Sequence, residues 1–300
     1  MHIPSEMLNG SICPVSAALA VTGIALATRF ATKSANKPDS LRFAAVAALI
    51  FAGQMLNFPV QSGTSGHLLG GVLASAVFGV PYGVLAMALV VAIQSLVFAD
   101  GGLLVLGVNV FNMALIGAGV GGLLHALLLR RGLHRNVALM LAGWASIMLA
   151  ATACSVELAL SGTIAASQVL PAMLGVHALI GVGEALVTLL LVGLLDSRPA
   201  SSGSWKVATP FLGALLMATV LSPFASAYPD GLEWVAQQYG FLKESAPLFV
   251  APLADYAVPA LGDSVLSTAL AGLAGVLLVA ALGALLARML RTAAKPSLAG

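Results

Sequence analysis

The chain has 300 residues, of which 60% are hydrophobic and only 8% charged, and its mean hydropathy is +1.03. A soluble domain carries about 25% charged residues, so this composition excludes a soluble globular protein. It predicts an all-α integral membrane protein, because helices satisfy their own backbone hydrogen bonds in lipid. The net charge of +2 is uninformative as a total, and no pattern indicates nucleic-acid binding.

Apolar runs of spanning length predict the helices in chain order. Nine segments are expected, near residues 14–31, 41–56, 68–80, 81–98, 104–129, 137–160, 168–195, 207–224 and 265–290. The third is short, about 20 Å at 1.5 Å per residue, against a hydrocarbon core of roughly 30 Å. Residues 68–98 therefore form either two spans or one re-entrant pair broken at 79–83, and both choices leave the later orientations unchanged.

The basic residues predict which helix ends face inward. With the N-terminus outside, twelve of the 13 Lys and Arg residues fall on the inner side, and only Lys243 falls outside. The opposite orientation inverts this count, so the positive-inside rule predicts an outer N-terminus. The outer side then carries an acidic set, which we attribute to the same rule: Glu6, Asp100, Asp230, Glu233, Glu244, Asp255 and Asp263.

The first two residues, Met1 and His2, have the atoms to chelate a metal ion. The α-amine and the His2 amide nitrogen close a five-membered ring, and that amide nitrogen and Nδ1 of His2 close a six-membered ring. Three nitrogens in a plane suit Cu(II) or Ni(II) better than tetrahedral zinc or oxygen-ligated calcium. His67 is a candidate fourth nitrogen, because the predicted topology puts it on the same membrane side. The alternative is that His2 is simply an early residue of a flexible N-terminus and binds no metal.

Two outer segments offer polar side chains to such a site. The loop 57–67 is polar and glycine-rich, so it can fold tightly and hydrogen-bond an inserted peptide. Asp100 can hold a ligand histidine or cap a helix, and Asn109 can point into the bundle, where polar side chains usually join helices. The residues expected to support the metal ligands are Asn57, Ser62, Thr64, Ser65, Asp100 and Asn109.

Ionisable residues within membrane spans are costly and mark function by default. Glu157, Glu184 and His177 lie in or near spans, and a proton path, a second metal site and structural hydrogen bonds between helices all stay open. Cys13 and Cys154 are expected as small core residues. Motifs for ATP binding, metalloproteolysis and serine nucleophiles are absent from the sequence. We expect no direct ATP binding and no enzyme; an intramembrane metalloenzyme using His177 and Glu184, or a passive channel, is the alternative.

Several separated motifs occur in order along residues 1–195 and resemble the CbiM/NikM family, the substrate-capturing membrane components of energy-coupling factor (ECF) transporters for cobalt and nickel. They are Met1-His2-Ile3-Pro4, Asn57-Phe58-Pro59-Val60, Gly63-Thr64-Ser65-Gly66-His67, Asp100-Gly101-Gly102, Asn109-Val110-Phe111-Asn112-Met113 and the run from His177 to Glu184. The resemblance implies a bundle of about seven helices. It also implies a metal held by the Met1 amine, the His2 amide nitrogen, the His2 imidazole and His67. Ser5 and Glu6 stand where many members have Asp-Gly, which leaves the chelate intact.

The runs Pro229 to Glu233 and Leu253 to Tyr256 resemble the PDGLE module, which occurs alone or fused to such proteins as an auxiliary subunit. Three parts are expected. Residues 1–195 form the metal-binding membrane domain, and residues 196–206 form a cytoplasmic linker. Residues 207–300 form the auxiliary module, with two additional C-terminal transmembrane helices and an outer loop at 225–264.

The resemblance implies the substrate-specific component of an ECF-type transporter in the bacterial inner membrane. Such a component captures Ni(II) at the outer face for ATP-driven uptake, and Co(II) uptake for cobalamin synthesis is the alternative. A transmembrane coupling subunit and two ATPase subunits are the expected partners, together with the lipid bilayer. No permanent cofactor is expected, because the metal is the cargo.

Overall fold

The computed structural model describes residues 2–61, 63–196, 204–242 and 249–293. Its helices are α1 Ile12–Lys33, α2 Ser40–Gln54, α3 Gly71–Phe78, α4 Val80–Phe98, α5 Leu103–Arg130, α6 Arg135–Leu160, α7 Ala166–Asp196, α8 Trp205–Phe224, α9 Gly231–Gln238 and α10 Val265–Thr292. Short 3-10 turns lie at Ser5–Met7, Ala254–Tyr256 and Pro259–Leu261. Strand β1, Phe58–Pro59, pairs antiparallel with β2, Ser65–Gly66. The predicted all-α membrane fold is confirmed.

The helices differ in their ability to cross a membrane. Within the described residues, seven are long and apolar enough: α1, α4, α5, α6, α7, α8 and α10. Helix α2 has 15 residues and α3 has 8, so they are only about 22 Å and 12 Å long. Each of the predicted segments is helical, and the chain is a multi-pass membrane protein. The number of crossings and the outer N-terminus stay predictions.

Helices α3 and α4 are separated at the break that the sequence predicts. Gly79 lies between them with φ at +82°, a conformation that glycine adopts more readily than residues with a Cβ. Pro81 follows in the first turn of α4, where its missing N–H needs no helical partner. The two helices then pack against each other, so residues 71–98 form a helical hairpin with one very short arm.

Helix α2 is the centre of the fold. Every residue from Phe43 to Gln54 is buried, which explains why its apolar run lacks a polar face. Helices α8 and α10 pack along it, and Gly283 of α10 faces Ala44 closely. The region of residues 204–293, here called the C-terminal region, therefore shares its core with the rest of the chain.

The two ends of the bundle differ in chemistry. At one end, Lys37 donates to the carbonyl of Leu290 at 3.1 Å, Arg291 lies 3.7 Å from Asp39 and Arg135 pairs with Asp196. The opposite end holds the start of the chain, the β1–β2 hairpin, the end of α4 and α9. We call it the His2 end, and the candidate site lies there.

Candidate metal centre

The chain start is fixed inside the bundle from residue 2 onward. The backbone N–H of Ile3 donates to Oδ1 of Asn109 at 2.8 Å, and Nδ2 of Asn109 donates to the carbonyl of Ile3 at 3.1 Å. The N–H of Gly102 also donates to that carbonyl, at 2.9 Å. Ile3 is fully buried and His2 is only 7% exposed. Asn109 thus holds the opening segment as a neighbouring strand would, which fixes where His2 points.

Two acceptors hold the imidazole of His2. Its Nδ1 lies 3.0 Å from Oδ1 of Asp100, and its Nε2 lies 3.1 Å from Oε1 of Gln94. Burial opposes ionisation of Asp100, but the adjacent His2 and a hydrogen bond from Tyr256 outweigh it and hold the pKa of this carboxyl well below its usual range. Asp100 therefore stays a carboxylate beside His2.

A π-helical turn puts both acceptors on the same side of His2. Residues Gln94–Phe98 close α4 as a π-helix, and Ala99 follows with φ at +57°. The N–H of Asp100 donates back to the carbonyl of Gln94 at 3.1 Å. Such single π turns occur often at functional sites, and this one brings residues 94 and 100 to one imidazole.

His67 lies directly beside His2. The two rings are stacked with centroids 5.5 Å apart and an interplanar angle of 19°. Nδ1 of His67 lies 2.9 Å from the carbonyl of Leu68, so Nδ1 carries the proton and Nε2 has the lone pair in the neutral ring. Burial, reinforced by nearby positive charge, lowers the pKa of His67 to about 3. The ring is therefore neutral near pH 7, which is the form that binds metals.

Glu184 of α7 anchors the backbone that follows His67. Its carboxylate accepts from the N–H of Leu69 at 2.6 Å and from the N–H of Gly70 at 3.0 Å. These groups precede α3, whose first N–H groups have no helical partner and favour a negative charge. Glu184 is fully buried, so it serves as a cap supplied by another helix.

Two polar residues of the 57–66 loop, Asn57 and Ser65, contact the C-terminal region. The hydroxyl of Ser65 donates to the carbonyl of Tyr228 at 2.8 Å, and the carbonyl of Asn57 accepts from the N–H of Ser226 at 2.8 Å. Thr64 is buried, and its carbonyl accepts from Val60 within the hairpin. Of the predicted supporting residues, Asp100 and Asn109 contact the opening segment, whereas Ser62 and the ligand residue Met1 lie outside the described residues.

The C-terminal region also contributes directly to the site. Oδ2 of Asp230 lies 4.0 Å from Nε2 of His67, and Asp230 caps α9 by accepting from the N–H of Leu232 and of Glu233. Within the described residues, a cavity of about 630 Å³ adjoins the two imidazoles. The acidic residues that line it are Asp100, Asp230, Glu233 and Asp255.

Side chains alone do not complete a metal site in the described part of the chain. No group of three or more His, Cys, Asp or Glu side chains there is arranged to hold an ion. Backbone nitrogen would have to join His2 and His67. Nδ1 of His2, which would close the six-membered chelate ring, faces Asp100 here, so binding through it requires the imidazole to turn about Cβ–Cγ.

Residues 2–201 match the family model CbiM, described as the cobalt uptake substrate-specific transmembrane region. The chain belongs to the CbiM family. Residues 204–292 match the PDGLE domain, so the C-terminal region carries that domain. These matches confirm both resemblances drawn from the motifs.

Similar proteins extend over nearly the whole of this CbiM-family chain. It is 37% identical over 303 residues to the putative fused nickel transport protein NikMN of Archaeoglobus fulgidus, covering 98% of this chain and 100% of the relative. It is 28% identical over 332 residues to the fused nickel transport protein NikMN of Rhodobacter capsulatus, covering 94% and 95%. The crystal structure of a truncated transition metal transporter matches with a TM-score of 0.60 and 32% identity, covering 66% of this chain and all of that one.

The intramembrane carboxylates of this CbiM-family chain have structural partners. Glu157 accepts from the hydroxyl of Ser16 at 3.1 Å and from Nδ2 of Asn112 at 2.6 Å, so it joins α1, α5 and α6. Nδ1 of His177 lies 2.8 Å from the carbonyl of Met173, one turn earlier in α7. With Glu184 bound to the start of α3, these contacts favour structural roles. The relatives are named as transport proteins, so the chain is a transporter component rather than an enzyme.

Three residues around His2 and His67 have no site role in the sequence-based expectation: Gln94, Asp230 and Tyr256. Gln94 leaves a weak signal, because it is a polar residue within an apolar run that ends a helix. Asp230 and Tyr256 lie in the two PDGLE motifs, which indicate a module but not its contacts. Their role at the site depends on contacts with residues more than 150 positions away in the chain, such as the Tyr256–Asp100 bond.

Gly231 permits the close approach of α9 to α7 in this CbiM-family fold. A Cβ at this position would lie 2.8 Å from Cε1 of His177 and 2.8 Å from Cδ1 of Ile180. We expect Gly231→Ala to displace the start of α9, together with Asp230, and to lower the free energy of unfolding by about 1–3 kcal/mol. Thermal unfolding and nickel titration in detergent measure both effects. The matched control is Gly175→Ala on α7, where a Cβ meets open space; equal results for the two variants would contradict the expectation.

Proposed function

We propose that this chain captures Ni(II) through four nitrogens: the Met1 amine, the His2 amide, the His2 imidazole and His67. The chain is a nickel/cobalt transport component, as the family description and the names of its relatives indicate. The single observation that supports nickel capture by His2 and His67 most directly is the stacking of their two imidazoles, whose centroids lie 5.5 Å apart. A neutral, buried His67 beside the fixed opening segment supports it further.

The chemistry of the donors favours Ni(II) over harder ions. Four nitrogens that include a deprotonated amide suit a square-planar d-block ion. Met1 lies outside the described residues, so its role is argued from the chelate-ring sizes alone. The names of the full-length relatives favour nickel, whereas the family description names cobalt. Co(II) is therefore the second candidate for the cargo.

Transport by this chain needs an energy source from elsewhere, because its sequence has no ATP-binding motif. We propose that it works as the substrate-specific component of an ECF-type transporter. A transmembrane coupling subunit and two ATPase subunits would then drive inward release of the metal. The metal is the substrate, and no resident cofactor is required by the proposed chemistry.

We propose the domain division 1–195, 196–206 and 207–300, with residues 197–203 of the linker outside the described residues. In this scheme the PDGLE domain assists metal loading at the His2 end. Its contacts support that role, because Asp230 approaches His67 and Ser65 is bonded to Tyr228. The inner position of the linker and the outer position of the site follow from the distribution of basic residues.

A direct test exposes the purified chain to equal concentrations of Ni(II) and Co(II), followed by metal analysis. We expect one Ni(II) per chain in the wild type and almost none in His67→Ala, because one of four ligands is lost. The matched control, His134→Ala, replaces an exposed imidazole that directly precedes α6, at the end of the bundle opposite the His2 end, and should retain the metal. Nickel retention in His67→Ala would overturn the proposed site. If the wild type preferentially retained Co(II), then Co(II) rather than Ni(II) would be assigned as the transported ion.

A further inference from the structure

Tyr256 of the C-terminal region is held tightly against the end of α4. The N–H of Leu253 donates to the carbonyl of Val97 at 2.9 Å. The ring of Tyr256 stacks on Phe98 with centroids 4.7 Å apart and an interplanar angle of 20°. Asp255 and Tyr256 have φ values of +53° and +55°, which non-glycine residues rarely adopt. Two consecutive residues in this conformation indicate a geometry that its contacts impose, as is common at functional sites.

The hydroxyl of Tyr256 links the two groups that hold His2. It donates to Oδ2 of Asp100 at 2.5 Å and accepts from Nε2 of Gln94 at 3.3 Å. The other oxygen of Asp100 and the oxygen of Gln94 face the two ring nitrogens of His2. Burial and the neighbouring Asp100 raise the pKa of Tyr256 well above its usual value, so the hydroxyl keeps its proton. One side chain of the PDGLE domain thus fixes both acceptors.

We infer that Tyr256 is a positioning residue for metal capture, which acts on His2 through Asp100 and Gln94. The inference rests on the proposed function. Partners of a ligand histidine orient its ring and hold its second nitrogen. If the His2 ring flips about Cβ–Cγ to direct Nδ1 at the metal, Nε2 takes the place of Cε1. That place lies between Asp100 and Gln94, so Nε2 can donate to either of them. The PDGLE domain would therefore set the affinity of a site whose proposed ligands all lie outside that domain.

The test compares nickel affinity in the full-length chain with and without this hydroxyl. Tyr256→Phe keeps the ring that stacks on Phe98 and removes only the hydroxyl. We expect its nickel dissociation constant to rise about tenfold or more, the range found when a partner of a metal ligand is removed. Tyr239→Phe removes an exposed hydroxyl from the same domain and should leave the affinity unchanged. Equal affinities for Tyr256→Phe and the wild type would overturn the inference.

A double-mutant cycle separates positioning from simple packing. If Tyr256 acts partly through Asp100, then Tyr256→Phe should weaken nickel binding less in a chain that already carries Asp100→Asn than it does in the wild type. Independent, multiplying losses would show that the hydroxyl acts in another way. At nickel saturation, the absorption band of the bound ion should be the same in Tyr256→Phe as in the wild type, because the ligands themselves are retained. A shifted band would also contradict the inference.

Two further measurements keep the result interpretable. For each variant, the unfolding temperature without nickel is subtracted from the unfolding temperature with nickel. A general loss of stability lowers both values and therefore cancels in the difference. We expect a smaller gain for Tyr256→Phe than for Tyr239→Phe. His2→Ala tests the proposed function separately. If His2→Ala binds nickel normally, the chelate fails; if only Tyr256→Phe binds normally, the chelate stands and the inference fails.

Discussion

Two glycines left ahead of Met1 are expected to weaken nickel binding by about two to three orders of magnitude while leaving the fold intact. The extension moves the α-amine away from the His2 amide, so the five-membered chelate ring cannot form. Structural zinc in four-ligand peptide sites binds with roughly 10–16 kcal/mol. If each of the four nickel ligands contributes equally to a similar total, loss of one costs about a quarter of it, which corresponds to about two to three orders of magnitude in affinity. Titration calorimetry on protein released from a tag by protease, with its mass verified, measures the change.

The length of the extension matters. One added residue would make His2 the third residue, and the amine, two amide nitrogens and the imidazole would then close three fused rings without His67. That variant is therefore unsuitable as a loss-of-binding test. A matched control carries two glycines at the C-terminus instead. Undiminished affinity in the N-terminally extended protein would exclude the proposed chelate.

The pH dependence gives a second readout of the same experiment. The amine and the amide each lose a proton on binding, and an Nδ1 proton of His2 directed at Asp100 would also have to leave. The wild-type affinity should therefore fall by at least about a hundredfold per pH unit below roughly pH 7.7–8.0, where a free α-amine ordinarily titrates. His67 adds nothing to this slope, because its pKa of about 3 leaves it neutral throughout that window. The extended protein should lose most of the slope. A slope in the N-terminally extended protein as steep as that of the wild type would contradict this assignment.

Glu184→Ala is expected to lower both the stability of the fold and its nickel affinity. The substitution leaves the buried N–H groups of Leu69 and Gly70 without their acceptor, and each unsatisfied donor costs about 1–3 kcal/mol. We therefore expect the free energy of unfolding to fall by about 3 kcal/mol or more. Because these groups lie two and three residues after His67, its imidazole should also lose its fixed position. Thermal unfolding with and without nickel measures both effects.

Two comparisons sharpen that experiment. Glu184→Gln keeps one side-chain oxygen as an acceptor, so its loss should be smaller than that of Glu184→Ala. Leu190→Ala shortens a side chain of the same helix that is 70% exposed on the surface of the described bundle and should have little effect on either quantity. If Glu184→Ala retained its stability but lost nickel binding, Glu184 would act at the metal rather than as a cap.

The sequence predicts most of the fold because length and hydropathy control helices in a bilayer. The apolar runs locate each long helix to within a few residues, and the Gly79–Pro81 pair explains the break between α3 and α4. The π-helical turns at 94–98, 111–120 and 217–221 were not predictable in the same way. No local sequence pattern distinguishes a π turn from an α-helical turn in these runs, whose residues are mostly apolar like those of the flanking helices.

The candidate site is only partly predictable for a similar reason. A shared membrane side brings His2 and His67 into the same loop layer, and the dipeptide Met1-His2 indicates the chemistry. The positions of Gln94 and Tyr256 depend on a π turn and on a left-handed backbone segment, neither of which has a sequence pattern of its own. Ser65 illustrates the limit, because its polar side chain bonds the carbonyl of Tyr228, which lies in the C-terminal region.

Helix α2 packs against helices of the CbiM region and of the PDGLE domain, so the two regions share one core. Because both belong to one chain, the PDGLE domain is also covalently tethered to the CbiM region. A tethered partner acts at a fixed effective concentration that does not depend on expression level. Chains cut between α7 and α8 should then show metal loading that depends on the amount of each fragment in the membrane. The fused chain instead keeps a one-to-one ratio of the two parts through every transport cycle.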